Sequence, residues 1–128
     1  MPNAPVLDSS AILALLNNEA GKSTVAMIIH GALLSAVNLA EIYSKLLLWG
    51  VDESFAAEQI DSLQCDVCPF TEALGRAAGA LILATKPYGL SLGDRACLAL
   101  AMERKAKVYT TDRNWKNLSL GIDIEVIR

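Results

Sequence analysis

Four acidic residues stand where predicted strands end or predicted helices begin, and they are the residues best placed to do chemistry. They are Asp8, Glu41, Asp94 and Asp112. Asp8 follows a short strand at residues 5–7, and Asp112 follows a β-branched and aromatic strand at 108–111. Glu41 falls in the first helical turn after a second strand. Asp94 falls in the first turn of the apolar helix that precedes the strand at 108–111.

Carboxylate oxygens are the ligands that Mg²⁺ and Mn²⁺ prefer, whereas zinc sites normally recruit His or Cys. The only histidine, His30, lies in the last turn of a predicted helix, where positive charge suits the helix dipole. A cage of carboxylates with open positions can hold one or two hard cations, which activate a water and neutralise a phosphodiester. The residue types therefore point to metal-dependent chemistry without an imidazole acid–base pair.

Helix capping is the alternative role for each acid. Residues 91–94 form a possible capping box with Asp94 at its third position, and residues 38–41 form a looser one ending at Glu41. Asp8 and Asp112 are each able to cap the helix that follows. Four acids at one sheet edge would repel one another and raise each other's pKa unless a cation held them, so their number favours a shared site.

The composition fits a single domain over residues 1–128 that buries a large core. Hydrophobic residues make up 53% of the chain, and the mean hydropathy of +0.37 requires either a sheet buried on both faces or an apolar surface covered by a partner. The net charge of −3 argues against a dedicated duplex-binding module. We expect no membrane span and, from three cysteines without an export signal, a cytoplasmic protein with reduced thiols.

Predicted strands alternate with predicted helices, so the fold class is α/β with a central, mostly parallel, five-stranded sheet. The strands are predicted at 5–7, 33–37, 65–70, 108–111 and 122–127. In such sheets ligands gather at the carboxyl ends of the strands, where Asp8, Glu41 and Asp112 are expected to meet. The start of the helix that carries Asp94 is expected at the opposite edge unless the connection at 86–90 brings it round.

Two short motifs and three basic residues are the remaining candidates for a functional role. Cys65 and Cys68 form a C-x-x-C pair within a strand, where residues three apart point to opposite faces, so we expect a structural role. A G-x-x-x-G pattern at 75–79 permits close helix packing, in the core or between two copies of the chain. Lys45, Arg95 and Arg113 are close in sequence to the acids. They are suited to contact phosphate, or else to remain solvated or pair with those acids.

Four segments in order resemble the PIN-domain ribonucleases of the VapC toxin type. They are V-L-D-S-S-A-I-L-A-L-L at 6–16, N-L-A-E-I at 38–42, L-S-L-G-D-R-A-C-L-A-L-A at 90–101 and V-Y-T-T-D-R-N-W at 108–115. The resemblance covers nearly the whole chain. It implies a three-layer fold and a Mg²⁺- or Mn²⁺-dependent endoribonuclease whose metal-binding acids are Asp8, Glu41, Asp94 and Asp112.

The resemblance also implies supporting residues and partners. Ser9 and Thr110 match the polar residues that support the acidic cluster. The family implies a homodimer and a small antitoxin that blocks the site and carries a DNA-binding part.

Two other functions remain open from the sequence. A phospho-receiver-like signalling domain is also a small α/β fold that binds Mg²⁺ at strand ends, but it needs an acidic pair after the first strand, and Asp8 is followed by two serines. An inactive PIN scaffold that only binds a partner is the second. The presence of all four acids argues against it.

Overall fold

The computed structural model describes residues 4–128 and places a parallel sheet at the centre of the fold. The strands of this part of the chain are β1 (Val6–Leu7), β2 (Leu33–Ser35), β3 (Asp66–Cys68), β4 (Val108–Thr110) and β5 (Ile124–Val126). They lie in the order β3-β2-β1-β4-β5, and each neighbouring pair is parallel. The predicted α/β class and five-stranded sheet are confirmed. Each strand is shorter than its predicted range, β1 and β4 by one residue and the others by two or three.

Helices connect these strands and cover the sheet. They are α1 (Ser9–Leu16), α2 (Lys22–Ile28), α3 (Ala36–Leu48), α4 (Glu53–Ser62), α5 (Glu72–Ala80), the single turn α6 (Ile82–Thr85) and α7 (Leu92–Arg104). Two 3₁₀ turns, Lys86–Tyr88 and Arg113–Asn117, complete the described chain. Among the described residues, no helix has the length and apolar character needed to cross a membrane.

The sheet is buried on both faces, which accounts for the apolar composition. Val6 of β1 belongs to a core that includes residues of α5 and α7, whereas the next residue, Leu7, belongs to a second core that includes residues of α1–α4. Alternation along a strand sends successive side chains to opposite faces. The result is the expected three-layer arrangement, with α7 buried almost all round from Ala96 to Ala101.

The order of strands reverses between β1 and β4. After β1 the chain builds β2 and β3 on one side, and it later returns to add β4 and β5 on the other. Crevices form at the carboxyl ends of strands at such a switch point. Asp8 directly follows β1, and Asp112 lies two residues after Thr110, the last residue of β4.

The expectation that Asp94 starts at the opposite edge of the sheet is wrong. Only Lys105, Ala106 and Lys107 separate the end of α7 from β4, so α7 ends near the amino end of that strand. Its 13 residues span about 20 Å at 1.5 Å per residue, which carries its first turn toward the carboxyl edge. The hydrogen bond from the Asn38 amide on α3 to the Gly93 carbonyl on α7 accordingly joins this turn to the helix that follows β2.

Two other local predictions differ from the structure. Ser35, rather than Asn38, caps α3 by accepting a hydrogen bond from the Val37 N–H, which places Asn38 inside the helix and Glu41 in its second turn. The predicted long helix at 71–84 breaks at Leu81 into α5 and α6.

Candidate metal-binding site

Asp8 is the buried centre of the site, with 3% of its surface exposed. It is the N-cap of α1, and its Oδ1 accepts hydrogen bonds from the Ala11 N–H (2.9 Å) and the Ser10 hydroxyl (2.7 Å). Burial raises the pKa of this carboxyl from 3.8 to about 6. Its hydrogen bonds oppose that rise, and the charge of Asp94 adds to it.

Thr110 joins Asp8 to Asp112 across the two strands at the switch point. Its buried hydroxyl donates to Oδ2 of Asp8 at 2.5 Å and accepts from the Asp112 N–H at 3.0 Å. The Asp112 side chain caps the following 3₁₀ turn by accepting from the Asn114 N–H at 2.9 Å. One hydroxyl therefore fixes the relative position of the two acids.

Glu41 is held by two donors on one oxygen. Its Oε1 accepts from the Ser9 hydroxyl at 3.0 Å and from the Asn38 side-chain amide at 2.9 Å. Ser9 directly follows Asp8 in the chain, so this contact ties α3 to the start of α1. The same Asn38 amide also donates to the carbonyl of Gly93, the residue before Asp94 (3.1 Å).

Asp94 forms the predicted capping box at the start of α7. Its Oδ2 accepts from the Ser91 N–H at 3.0 Å, and the Ser91 hydroxyl accepts from the Asp94 N–H at 3.2 Å. Burial raises the pKa of Asp94, the bonds with Ser91 lower it, and the negative charges of Asp112 and Glu41 raise it. The capping role is therefore real, and the neighbouring charges show that Asp94 also belongs to an acidic cluster.

Two sets of contacts, adjoining at Asp8 and Ser9, connect Asp112 to Asp8 and Glu41 to the residue before Asp94 along the carboxyl edge of the sheet. They run from Asp112 through Thr110 to Asp8, and from Ser9 through Glu41 and Asn38 to Gly93. Capping and clustering coexist because a carboxylate has two oxygens. Within residues 4–128, no hydrogen bond reaches Oε2 of Glu41, Oδ1 of Asp94 or Oδ2 of Asp112.

The described residues do not bring three or more His, Cys, Asp or Glu side chains into the spacing of a formed metal centre. The donor set nevertheless fits a hard cation, because it consists of carboxylates, three of them with an oxygen that makes no hydrogen bond within residues 4–128. The charge of Asp94 raises the pKa of Asp8, and the charges of Asp112 and Glu41 raise the pKa of Asp94. Carboxylates that repel lie farther apart than those joined by a cation.

The three basic candidates have different surroundings. Arg95 donates from Nη1 to the carbonyl of Ala78 at 3.0 Å, near the end of α5, where Arg side chains commonly bond the last helical carbonyls. Arg113 donates from Nε to the carbonyl of Arg128 at 3.3 Å. Lys45 is exposed on α3 and makes no side-chain hydrogen bond or ion pair to the described residues.

The three cysteines are in surroundings that keep their thiols protonated. Cys65, Cys68 and Cys97 are free thiols, and burial raises the pKa of each, that of Cys65 to about 11. A raised pKa keeps a thiol protonated and weakly nucleophilic. The structural role expected for the C-x-x-C pair is consistent with these surroundings.

Sequence reasoning missed Ser10, Asn38 and Gly93. Ser10 seemed to be only a helix cap, but its hydroxyl binds Asp8 and accepts from the Thr111 N–H at 3.1 Å. Asn38 was assigned to a cap that Ser35 provides instead. Gly93 has an ordinary helical position in the sequence, and only the structure shows that a Cβ there would overlap the Glu41 carboxylate.

A parallel sheet with a switch point, and acids gathered where β1 and β4 end, define an α/β domain of the kind that binds ligands at its carboxyl edge. The family model described as "PIN domain" matches residues 6–120. The chain therefore belongs to the PIN domain family. No curated protein matches the chain significantly.

Solved structures with the same fold superpose on nearly the whole chain. A toxin–antitoxin complex from Klebsiella pneumoniae superposes with a TM-score of 0.70 at 13% identity, covering 94% of this chain and 100% of that one. VapBC2 from Rickettsia felis, bound to a DNA fragment from its promoter, gives 0.70 at 15% identity and covers 93% and 95%. FitAcB from Neisseria gonorrhoeae gives 0.64 at 19% identity and covers 92% and 94%. At these identities the likeness establishes the fold.

Proposed function

We propose that the protein is a Mg²⁺- or Mn²⁺-dependent endoribonuclease and the toxin of a toxin–antitoxin pair. The observation that carries this proposal is the set of contacts that connects Asp112 to Asp8, and Glu41 to Ser9 and to the residue before Asp94, at the switch point of a PIN fold. Helix capping needs one acid at each helix and gives no reason to connect them. Several of the solved structures with this fold are toxin–antitoxin complexes, which supports the assignment to such a pair.

Asp8, Glu41, Asp94 and Asp112 would hold the cation through oxygens at the open side of the cluster. The bound cation would activate a water and neutralise charge on the phosphodiester. Thr110 and Ser10 orient the Asp8 carboxylate, and Ser9 orients Glu41. For phosphate contact we propose Lys45, Arg95 and Arg113, of which Lys45 is the least constrained by other contacts.

We further propose a cytoplasmic homodimer that is inhibited by its antitoxin. The free thiols fit a reducing compartment. An apolar groove of about 500 Å³ between α5, α6 and α7, lined by Leu81, Leu83 and Met102 among others, supports a protein contact. The exposed Leu83 and Ile82 lie at or beside this groove, 84% and 42% exposed respectively, where burial against another chain would stabilise an assembly.

The direct test incubates the purified chain with labelled tRNA, rRNA fragments and mRNA in Mg²⁺, Mn²⁺ or EDTA. We expect cleavage with either metal, none in EDTA, and none from Asp8→Asn or Asp112→Asn. Asp61→Asn, which neutralises an exposed acid on α4, is the matched control and should cut normally. Metal-independent cleavage, or equal activity in all three variants, would refute the proposal. A folded protein that cuts no RNA but binds an antitoxin would favour the inactive scaffold.

A further inference from the structure

Asn38 occupies a position that connects two helices at the site. Its side chain is 1% exposed within α3, and one amide nitrogen donates both to Oε1 of Glu41 (2.9 Å) and to the carbonyl of Gly93 on α7 (3.1 Å). Both partners accept hydrogen bonds. The amide must therefore turn its NH₂ group toward them, because the opposite rotamer would bring an oxygen against two oxygens.

This orientation has a cost. It leaves Oδ1 of Asn38 buried without a hydrogen-bond partner among the described residues. A buried polar atom of that kind is destabilising, so an apolar side chain would suit a purely structural position at least as well. The observed arrangement indicates that the two donated bonds fix something that packing alone does not.

Gly93 contributes the space that the arrangement needs. A Cβ at this residue would overlap Oε2 and the rest of the Glu41 carboxylate, so that carboxylate lies directly against the Gly93 backbone. The backbone of Gly93 is helical and has no positive φ, so an L side chain would otherwise be tolerated there. The glycine is required by the neighbouring carboxylate and not by its own conformation.

Together these contacts leave one Glu41 oxygen, the one beside the Gly93 backbone, without a hydrogen bond from the described residues. Ser9 and Asn38 both donate to Oε1, and no described residue donates to Oε2. Glu41 is otherwise an exposed side chain with several rotatable bonds, so without such contacts it would sample many rotamers.

We propose that Asn38 and Gly93 are positioning residues for Glu41: Asn38 holds Oε1, Gly93 leaves room for the carboxylate, and Oε2 is thereby presented to the cation. This inference rests on the proposed metal-dependent function. According to this inference, Asn38 and Gly93 increase the affinity for the metal although neither is charged, and they do so only by positioning Glu41. Partners that orient a ligand typically change metal affinity by about 10- to 100-fold when removed.

The test measures the Mn²⁺ dissociation constant, from the electron paramagnetic resonance signal of free Mn²⁺, together with the melting temperature in EDTA. Asn38→Ala and Gly93→Ala should each weaken Mn²⁺ binding by about 10-fold or more. Gly93→Ala should keep or raise the melting temperature, because alanine favours a helix over glycine and the exposed Glu41 can move aside. Gly79→Ala in α5, where a Cβ meets nothing within 4 Å, is the control and should leave Mn²⁺ binding unchanged.

The same substitutions in a Glu41→Ala background decide whether the effect passes through Glu41. In that background we expect each substitution to change the Mn²⁺ dissociation constant by less than about twofold. The contrast with the effect of about 10-fold in the wild-type background would be the coupling expected of residues in contact. Equal losses in both backgrounds, or lower melting temperatures with unchanged Mn²⁺ binding, would overturn the inference. If Asn38→Ala fails to fold, Gly93→Ala decides alone. Mn²⁺ binding that is absent from the wild type or insensitive to Glu41→Ala would instead refute the proposed metal site itself.

Discussion

The Thr110 hydroxyl donates a 2.5 Å hydrogen bond to Oδ2 of Asp8, joining side chains 102 residues apart at the ends of adjacent strands. The register of the parallel pair β1–β4 makes this contact possible, since Leu7 lies opposite Tyr109 and the next residues of the two strands follow side by side. The contact holds together the two strand ends that supply Asp8 and Asp112.

Replacing that hydroxyl should affect both stability and activity. Thr110→Val keeps the shape of the buried side chain but leaves the Asp8 carboxylate short of one donor. We expect a loss of about 1–3 kcal/mol in the free energy of unfolding at neutral pH, and a large loss of RNA cleavage. Urea denaturation and cleavage assays measure the two effects. Thr111→Val, at a neighbouring buried residue whose side chain makes no hydrogen bond in the described chain, is the control. Equal behaviour of the two variants would contradict the assigned role.

The raised pKa of Asp8 predicts how stability depends on pH in the absence of metal. The folded-state pKa of about 6 exceeds the usual 3.8, so the folded protein binds the proton more tightly than the unfolded chain. Asp8 therefore destabilises the fold fully above about pH 6, and this penalty is lost as the pH falls toward 4. A shift of about two pKa units corresponds to about 3 kcal/mol.

Urea denaturation of wild type and Asp8→Asn in EDTA, between pH 4 and pH 8, isolates this contribution. The difference between the two proteins should change by about 3 kcal/mol in favour of the variant as the pH rises through 6. A pH-independent difference would show that burial does not raise the pKa of Asp8.

Asp94→Asn separates metal chemistry from helix capping. An asparagine at this third position of the capping box still offers a side-chain oxygen to the Ser91 N–H, so the unfolding free energy should change by less than about 1 kcal/mol. The melting temperature in EDTA should stay level or rise, because the substitution removes charge repulsion with Asp112 and Glu41. Mn²⁺ binding and RNA cleavage should be lost.

Ser91→Ala is the complementary variant. It removes the hydroxyl that accepts from the Asp94 N–H and leaves the carboxylate in place. We expect a destabilisation of about 1 kcal/mol with cleavage retained. If Asp94→Asn cuts RNA at the wild-type rate, Asp94 is a cap and has no part in the mechanism.

The proposed homodimer is tested by a charge in the apolar groove. Leu83→Lys should convert the dimer to a monomer in light scattering at micromolar concentration, since a buried unpaired charge is strongly unfavourable. Leu48→Lys, at a residue of α3 that is 82% exposed, is the matched control and should remain dimeric. A wild-type protein that is already monomeric without antitoxin would exclude this assembly.

Periodicity and strand-end acids predict the fold class, the sheet and the clustering of Asp8 and Asp112, because these follow from alternation and from topology. The role of Asn38 does not follow, since its amide contacts Gly93, 55 residues away on another helix, and since α3 begins within the range predicted as a strand. The break of the helix at Leu81 was missed for a related reason. Leu81 at the break is buried in the core shared with α7, so its conformation depends on residues distant in sequence.

The contact between Arg95 and the α5 carbonyl has a consequence for how a polyanion would reach this site. That hydrogen bond orients the Arg95 guanidinium without neutralising it, and the chain as a whole carries a net charge of −3, so few cations are available to attract a polyanion. Few condensed counterions would then be released from RNA, so the affinity should fall only weakly as monovalent salt is raised. Association with RNA would be slow because the protein's charge attracts it only weakly. The divalent ion would provide most of the attraction that holds the RNA strand in place.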